Sequence, residues 1–213
     1  MKRNHVPHQP VHVLQRGNNK NPVFFEPQDA RLYLEWLGET ARAEGVAIHA
    51  YALMTNHIHL LATATTPSGL GRCMQSVGIR YTRYINGAKG RTGTLWDGPY
   101  RAANISDPRY ILTCGRYIEM NPVRSGVAAT AGAYRWSSYR ANANGQTDKL
   151  VTPHSVYQAL GSTPETRANA YRTLFDEAIP EAKLTAIRSA TNGGAELSAE
   201  YAPRPRGRPR RVA

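Results

Sequence analysis

The sequence predicts an α+β fold: an antiparallel sheet with helices packed on it, in a ferredoxin-like order. Three observations carry that expectation. Short runs rich in Val, Ile, Leu, Tyr and Ala, at 11–16, 46–54, 57–63 and about 100–105, read as strands. Longer stretches with apolar residues at helical spacing separate them. The second and third runs are joined only by Thr55-Asn56, a connection short enough to force an antiparallel hairpin.

Along the chain, "VHVLQR" (11–16) is the first strand and "GNNKNP" the turn after it. "FFEP" (24–27) is expected to pair back as a short second strand. From Gln28 to Glu44, Leu32, Leu34, Trp36, Leu37 and Ala41 recur at helical spacing, and Gly45 ends that helix as a C-cap. After the hairpin, "PSGLGRCMQSVGIRYTRYINGA" (67–88) is a second helix, studded with Arg and Tyr. A basic, Gly-rich loop, "KGRTGTLWDGPYRAANI", leads into the fourth strand. In "SDPRY", Asp107 fits an N-cap and Pro108 the first turn of a third helix, expected to run to about Asn121, where Pro122 stops it.

"RWSSY" (135–139) closes the compact part, and "ANANGQTDKL" reads as a linker. The expected organisation is a main domain at 1–145, a small helical appendage at 146–190 and a basic, disordered tail at 191–213. No internal repeat is visible.

The 213 residues are 41% hydrophobic, enough for a sizeable core, yet 27 Lys and Arg outnumber 15 Asp and Glu, for a formal charge of +12. Such an excess points to a polyanionic partner, nucleic acid by default. Twelve Tyr against three Phe fits stacking platforms or a tyrosine nucleophile, and equally fits half-buried packing. Two cysteines make neither a disulfide framework nor a zinc pattern. The N-terminal stretch lacks an apolar signal core, and no run approaches the ~18 residues of a membrane span. A cytoplasmic, nucleoid-associated protein is expected.

In "MTNHIHLLA" (54–62), His57 and His59 share one face of a strand because side chains alternate with period two. Each imidazole is either satisfied within a core or, with the other, turned toward one divalent metal, and the spacing alone does not choose. Tyr117 and Asn121 in "RYIEMNPV" (116–123) lie one helical turn apart on one face. Asn121 is either a helix-end cap or a hard oxygen ligand, and Tyr117 either packs beneath the helix end or hangs its phenol beside the metal.

"TNHIHLL" resembles the His–bulky hydrophobe–His motif of single-tyrosine HUH endonucleases. "RTGTLWDGPYRA" (91–102) and "YILTCGRYIEMNPVRSG" (110–126) resemble the stretches that follow it in REP-associated tyrosine transposases, relatives of the transposases of the smallest insertion sequences. The resemblance covers roughly residues 9 to 140 and implies a ferredoxin-like HUH fold. It further implies a divalent metal, Mg²⁺ or Mn²⁺, held by His57, His59 and Asn121, with Tyr117 as the nucleophile. The rivals Tyr81 and Tyr84 lack a ligand-type residue one turn later, where Ile85 and Ala88 stand. The implied substrate is single-stranded DNA beside a hairpin such as a repetitive extragenic palindrome, cut through a covalent 5′-phosphotyrosine by a monomer or homodimer. A phenol with a pKa of ~10 needs nearby cations to act as a nucleophile at neutral pH.

Arg80, Arg83, Arg91, Arg101 and Arg116 are candidate phosphate contacts, and Tyr84, Trp96 or Tyr100 candidate base-stacking rings. In the tail, "RPRGRPRR" (204–211) resembles an AT-hook, with Arg206, Arg208 and Arg210 suited to a narrow minor groove. The alternative to an enzyme is a regulatory or structural protein that binds hairpins without cutting them.

Overall fold

The computed structural model describes residues 5–198, so the AT-hook-like stretch with Arg206, Arg208 and Arg210 lies outside the described residues. Four strands, β1 (Pro10–Arg16), β2 (Val46–Met54), β3 (His57–Ala64) and β4 (Arg101–Asn104), form one sheet in the order β2-β3-β1-β4. Every neighbouring pair is antiparallel. Helix α1 (Pro27–Ala43) connects β1 to β2, and α2 (Gly69–Ala88) connects β3 to β4. This β-α-β-β-α-β succession with the first strand inside the sheet is the ferredoxin-like arrangement.

Both crossover helices land on one face of the sheet. There Val11, Val13, Ile58, Leu60 and Ala62 of the central strands bury against Tyr33 and Leu37 of α1 and Leu70, Met74, Val77 and Tyr81 of α2. The intervening residues of the same strands point the other way, toward a second layer: α3 (Arg109–Glu119), α4 (Asn121–Arg124) and α8 (Glu181–Gly193). Between them come the short helices α5 (Tyr139–Asn144), α6 (Ser155–Gln158) and α7 (Pro164–Thr173). Ala50, Ala52 and Ala103 are small enough for this layer to lie close to the sheet, and Ile118, Ile187 and Ala190 fill the space between.

Two local expectations are corrected. "FFEP" is not a strand. Pro27 opens α1, and Glu26 and Asp29 form a reciprocal capping box there, so the segment is spent on starting the helix. The third helix does not run through to Asn121. It ends at Glu119 with Met120 as a hinge, and Pro122 sits in the first turn of α4, where its missing N–H costs nothing. Gly45 does follow α1 with a left-handed φ of 63°, as a C-terminal glycine should.

Glu119, 0% exposed, ties α3 to the later chain. Its carboxylate accepts from the Ser138 hydroxyl at 2.6 Å, the Asn142 amide at 2.8 Å and the Tyr171 hydroxyl at 3.0 Å. Gly115 permits the last contact, since a Cβ there would come within 2.7 Å of the Tyr171 oxygen. Burial outweighs the three donors and pushes the Glu119 carboxyl up to about 7.

The sheet edges are partly occupied by the chain itself. On β2, Leu53 N–H donates to Trp136 O at 2.9 Å, Ser138 N–H to Tyr51 O at 3.0 Å and Thr152 N–H to Ile48 O at 2.7 Å. Beyond β4, Leu197 N–H donates to Asn104 O at 2.7 Å. Among the described residues no helix is long and apolar enough to cross a membrane.

Candidate active site

Alternation places His57 and His59 of β3, and His12, Leu14 and Arg16 of β1, on the face that meets α3 and α8. They line a cleft of about 1100 Å³ together with Tyr117, Asn121, Arg188 and the end of α8. Thus the four residues His57, His59, Tyr117 and Asn121, from two distant segments, meet in one cavity.

The rings are packed as a unit. His57 and His59 stand edge to face with centroids 5.0 Å apart, and His59 and Tyr117 likewise at 5.7 Å. His12 stacks on His59 at 5.2 Å and meets Tyr117 edge-on at 5.5 Å. Tyr117 is 6% exposed, and its hydroxyl makes no hydrogen bond to any described residue. The Arg124 guanidinium lies 4.3 Å from the ring centroid and donates to the Tyr117 carbonyl at 2.6 Å.

Asn121 also donates through its amide nitrogen to that carbonyl, at 2.9 Å. With the nitrogen engaged, the carboxamide oxygen is the atom left for a ligand. His57 is held in the same manner. The Asn56 amide nitrogen donates to Lys20 O at 2.9 Å, which turns Asn56 Oδ1 toward His57 Nδ1 at 2.7 Å. An amide oxygen only accepts, so Nδ1 carries the proton and Nε2 keeps its lone pair.

All three imidazoles are neutral. Burial, followed by the Arg16 cation, pushes His57 down to about 4. Burial and then Arg124 push His12 down to about 3. His59 is driven well below its ordinary value, chiefly by burial. Neutral imidazole is the metal-binding form. Among the described residues no three His, Cys, Asp or Glu side chains are arranged to hold a metal. Two imidazole nitrogens and one carboxamide oxygen are instead an open, uncharged set, which suits a divalent cation that must also accept phosphate oxygens.

The family of IS200-like transposases matches residues 5–121, more than half of the chain and including all four of these residues. The chain belongs to that family. It is a DNA-processing enzyme of the transposase type. A solved REP-associated tyrosine transposase bound to a REP hairpin superposes with a TM-score of 0.57 at 15% identity, covering 73% of this chain and 94% of that one. This likeness shows the shared fold. A Deinococcus radiodurans structure assigned as a transposase matches at 21% identity, with 56% and 95% of the two chains covered and a TM-score of 0.41. A bacterial tRNA(His) guanylyltransferase-like protein in complex with GTP reaches only 0.36 at 12% identity, covering 59% and 71%. No curated protein matches the sequence significantly.

The transposase distributes its candidate DNA contacts unevenly. Arg101, exposed on β4, lies beside the cleft and donates to Asn192 Oδ1 at 3.0 Å. Arg80, Arg83 and Tyr84 belong to α2, behind the sheet. Arg80 pairs with Glu39 at 2.5 Å across the face of Trp36, and the Tyr84 hydroxyl donates to Asp29 at 3.0 Å. Trp96 is 6% exposed, tilted against Tyr33 and Tyr81, so its faces are taken by core packing. Tyr100 is buried against His5, hydroxyl oxygen to Nε2 at 2.9 Å. Arg91 is half-buried in the loop after α2. Arg116 is half-buried against Phe175 and donates to the Glu177 carbonyl, away from the cleft.

Sequence reasoning missed His12, Arg16, Arg124 and Arg188. For three of them the signal was present: His12 and Arg16 alternate within "VHVLQR", and Arg124 follows Tyr117 by seven residues, hence on the same helical side. Arg188 had no such signal, because its place depends on where α8 docks.

Proposed function

We propose that this transposase cleaves and rejoins single-stranded DNA beside a hairpin, through a covalent 5′-phosphotyrosine on Tyr117. A divalent ion, Mg²⁺ or Mn²⁺, would be held by His57, His59 and Asn121. The observation that carries the reading is the convergence of these four side chains on one cleft, lined also by Arg16 and Arg188, with Arg124 against the Tyr117 ring. The hairpin is taken from the REP-hairpin-bound relative of the same fold.

The ion would supply positive charge to the scissile phosphate and orient it. The chain's own groups account for the rest. Arg124, lying over the Tyr117 ring and donating to its carbonyl, holds the tyrosine in place at the cleft. The Tyr117 hydroxyl gives up its proton to solvent as its oxygen forms a bond to phosphorus, and the bond from phosphorus to the 3′ oxygen breaks. That oxygen leaves with the electron pair and takes up a proton as a free 3′-OH. The 5′ phosphate stays on Tyr117, and attack by a 3′-OH reverses the step and reseals a strand without ATP. Arg16, Arg101 and Arg188 suit the flanking phosphates, since a guanidinium binds phosphate oxygens in pairs. Buried rings pack Tyr117 on two sides, which fixes the line of attack.

The test is a hairpin oligonucleotide with a labelled single-stranded flank, incubated with Mg²⁺ or Mn²⁺ and run on a denaturing gel. A protein–DNA adduct is expected with the native chain and none with Tyr117→Phe, while both bind the hairpin alike. Binding without any adduct from the native chain would leave a hairpin-binding protein only; cleavage by Tyr117→Phe would place the nucleophile elsewhere.

A further inference from the structure

The groups behind His59 come from opposite ends of the chain. His12 Nε2 lies 3.0 Å from His59 Nδ1, and His12 Nδ1 lies 2.7 Å from the hydroxyl oxygen of Thr191, in the last turn of α8. The Thr191 hydroxyl donates in turn to the Ile187 carbonyl at 2.8 Å.

The directions of these bonds follow from one another. The Ile187 carbonyl can only accept, so it takes the Thr191 proton, and the Thr191 oxygen faces His12 as an acceptor. His12 Nδ1 must therefore carry a proton. His12 is 1% exposed and its two ring nitrogens meet only the Thr191 hydroxyl and the His59 ring, with no carboxylate to balance a charge, so an imidazolium there would be an uncompensated buried cation. Its Nε2 is consequently a bare acceptor, and the remaining proton of the pair belongs to His59 Nδ1. His59 Nε2 then keeps its lone pair, as His57 Nε2 does through Asn56.

We propose that His12 and Thr191 are positioning residues, forming a relay that locks His59 in the Nδ1–H tautomer and so presents Nε2 to the divalent cation. The proposal rests on the metal-dependent reading above. It assigns a role to α8, which lies some 130 residues beyond His59 and outside the segment that matches the family. The three-bond chain Ile187 O, Thr191, His12, His59 ends where a ligand lone pair is wanted. Groups that orient a ligating imidazole in this way typically govern metal affinity by ~10–100-fold.

Two measurements on the full chain test it. Nitrogen-15 NMR of the imidazoles, recorded without metal, should show His59 protonated at Nδ1 in the native protein and in Thr191→Ser. In Thr191→Val, which keeps the shape and removes the hydroxyl, and in His12→Phe, His59 should shift toward the Nε2–H form. Mn²⁺ affinity, read by electron paramagnetic resonance, should fall ~10–100-fold in Thr191→Val and return in Thr191→Ser. Should His59 keep its native tautomer in both Thr191→Val and His12→Phe, or Mn²⁺ bind native and Thr191→Val protein equally, the relay is overturned. A native protein that binds no Mn²⁺ would refute the metal-dependent reading instead, and the NMR comparison would still decide whether the relay exists.

Discussion

The two faces of the sheet are made from alternate residues of the same strands, yet they are different materials. Behind, Tyr33, Tyr81, Trp96 and Phe24 interlock with Ile58 and Leu60, and the Tyr81 hydroxyl donates to the Val23 carbonyl at 2.7 Å. In front, His12, His57, His59 and Tyr117 surround a cleft with arginines at its rim. Tyrosines occur on both sides, so residue type does not distinguish the proposed nucleophile, Tyr117, from a packing group. What distinguishes them is the neighbourhood: Tyr81 lies among apolar rings, Tyr117 between imidazoles and a guanidinium. Period two converts a single strand into both a foundation and a workplace.

The sharpest way to probe that contrast is to truncate adjacent residues of β3. His59→Ala should reduce adduct formation on the order of 10²–10³-fold, the scale for losing one group that stabilises transition-state charge. Leu60→Ala, one residue on and facing the opposite way, should cost about 2–5 kcal/mol of folding stability. Below its melting temperature it should still form the adduct. Denaturant titration and the labelled-hairpin gel together would separate the two profiles; loss of cleavage in both would mean that the faces are not independent.

A pH comparison addresses the link between α3 and the later chain. Because the Glu119 carboxyl is pushed up to about 7 from an ordinary 4.5, the folded protein holds its proton over that window and the unfolded chain does not. Stability from this group therefore falls as pH rises from about 4.5 to 7, by roughly 3 kcal/mol, and is level beyond. The neutral buried histidines act in the reverse sense: their stability is lost as pH falls below their unfolded value. Glu119→Gln leaves the histidines in place and removes the carboxyl, so native minus variant isolates the slope. Urea midpoints at pH 5 and pH 8 should diverge between the two proteins; parallel midpoints would show that Glu119 ionises normally.

The smallest effect belongs to the rear phenol. Tyr81→Phe should cost ~1 kcal/mol, the worth of one hydrogen bond plus an unpaired carbonyl, with adduct formation unchanged. A drop in cleavage there would connect the aromatic core to the chemistry.

Much of this was legible in the sequence, because it depends on local periodicity. The hairpin at Thr55-Asn56, the helix before Gly45 and the shared face of His57 and His59 all follow from spacing alone. The pairing of Tyr117 with Asn121 was legible as well, although the helix breaks between them at Met120, since a one-residue hinge leaves both on the same side. What spacing could not supply was the docking of distant segments. The pattern Leu184, Ile187, Ala190, Thr191 announces a helix in α8 without saying which surface receives it. His12 looked like an ordinary strand residue because its partner lies 179 positions away. "FFEP" misled for a different reason. Its aromatic pair has strand character, but Pro27 and the Glu26–Asp29 box favour a helix start more strongly. For Trp96 both base stacking and core packing were open from the sequence, and the choice between them depends on a Gly-rich loop that carries it back into the core, where it bridges to Gly17.

The straps over the outer strands have an effect on how copies of the molecule can meet. An open strand edge invites a neighbour to add its own strand, but here residues 136–138 and 152 already hold β2's outward groups, and Leu197 holds the end of β4. A second molecule could pair at those positions only by first peeling these segments away. At those positions the sheet is closed by the chain's own later residues rather than left open to a second copy.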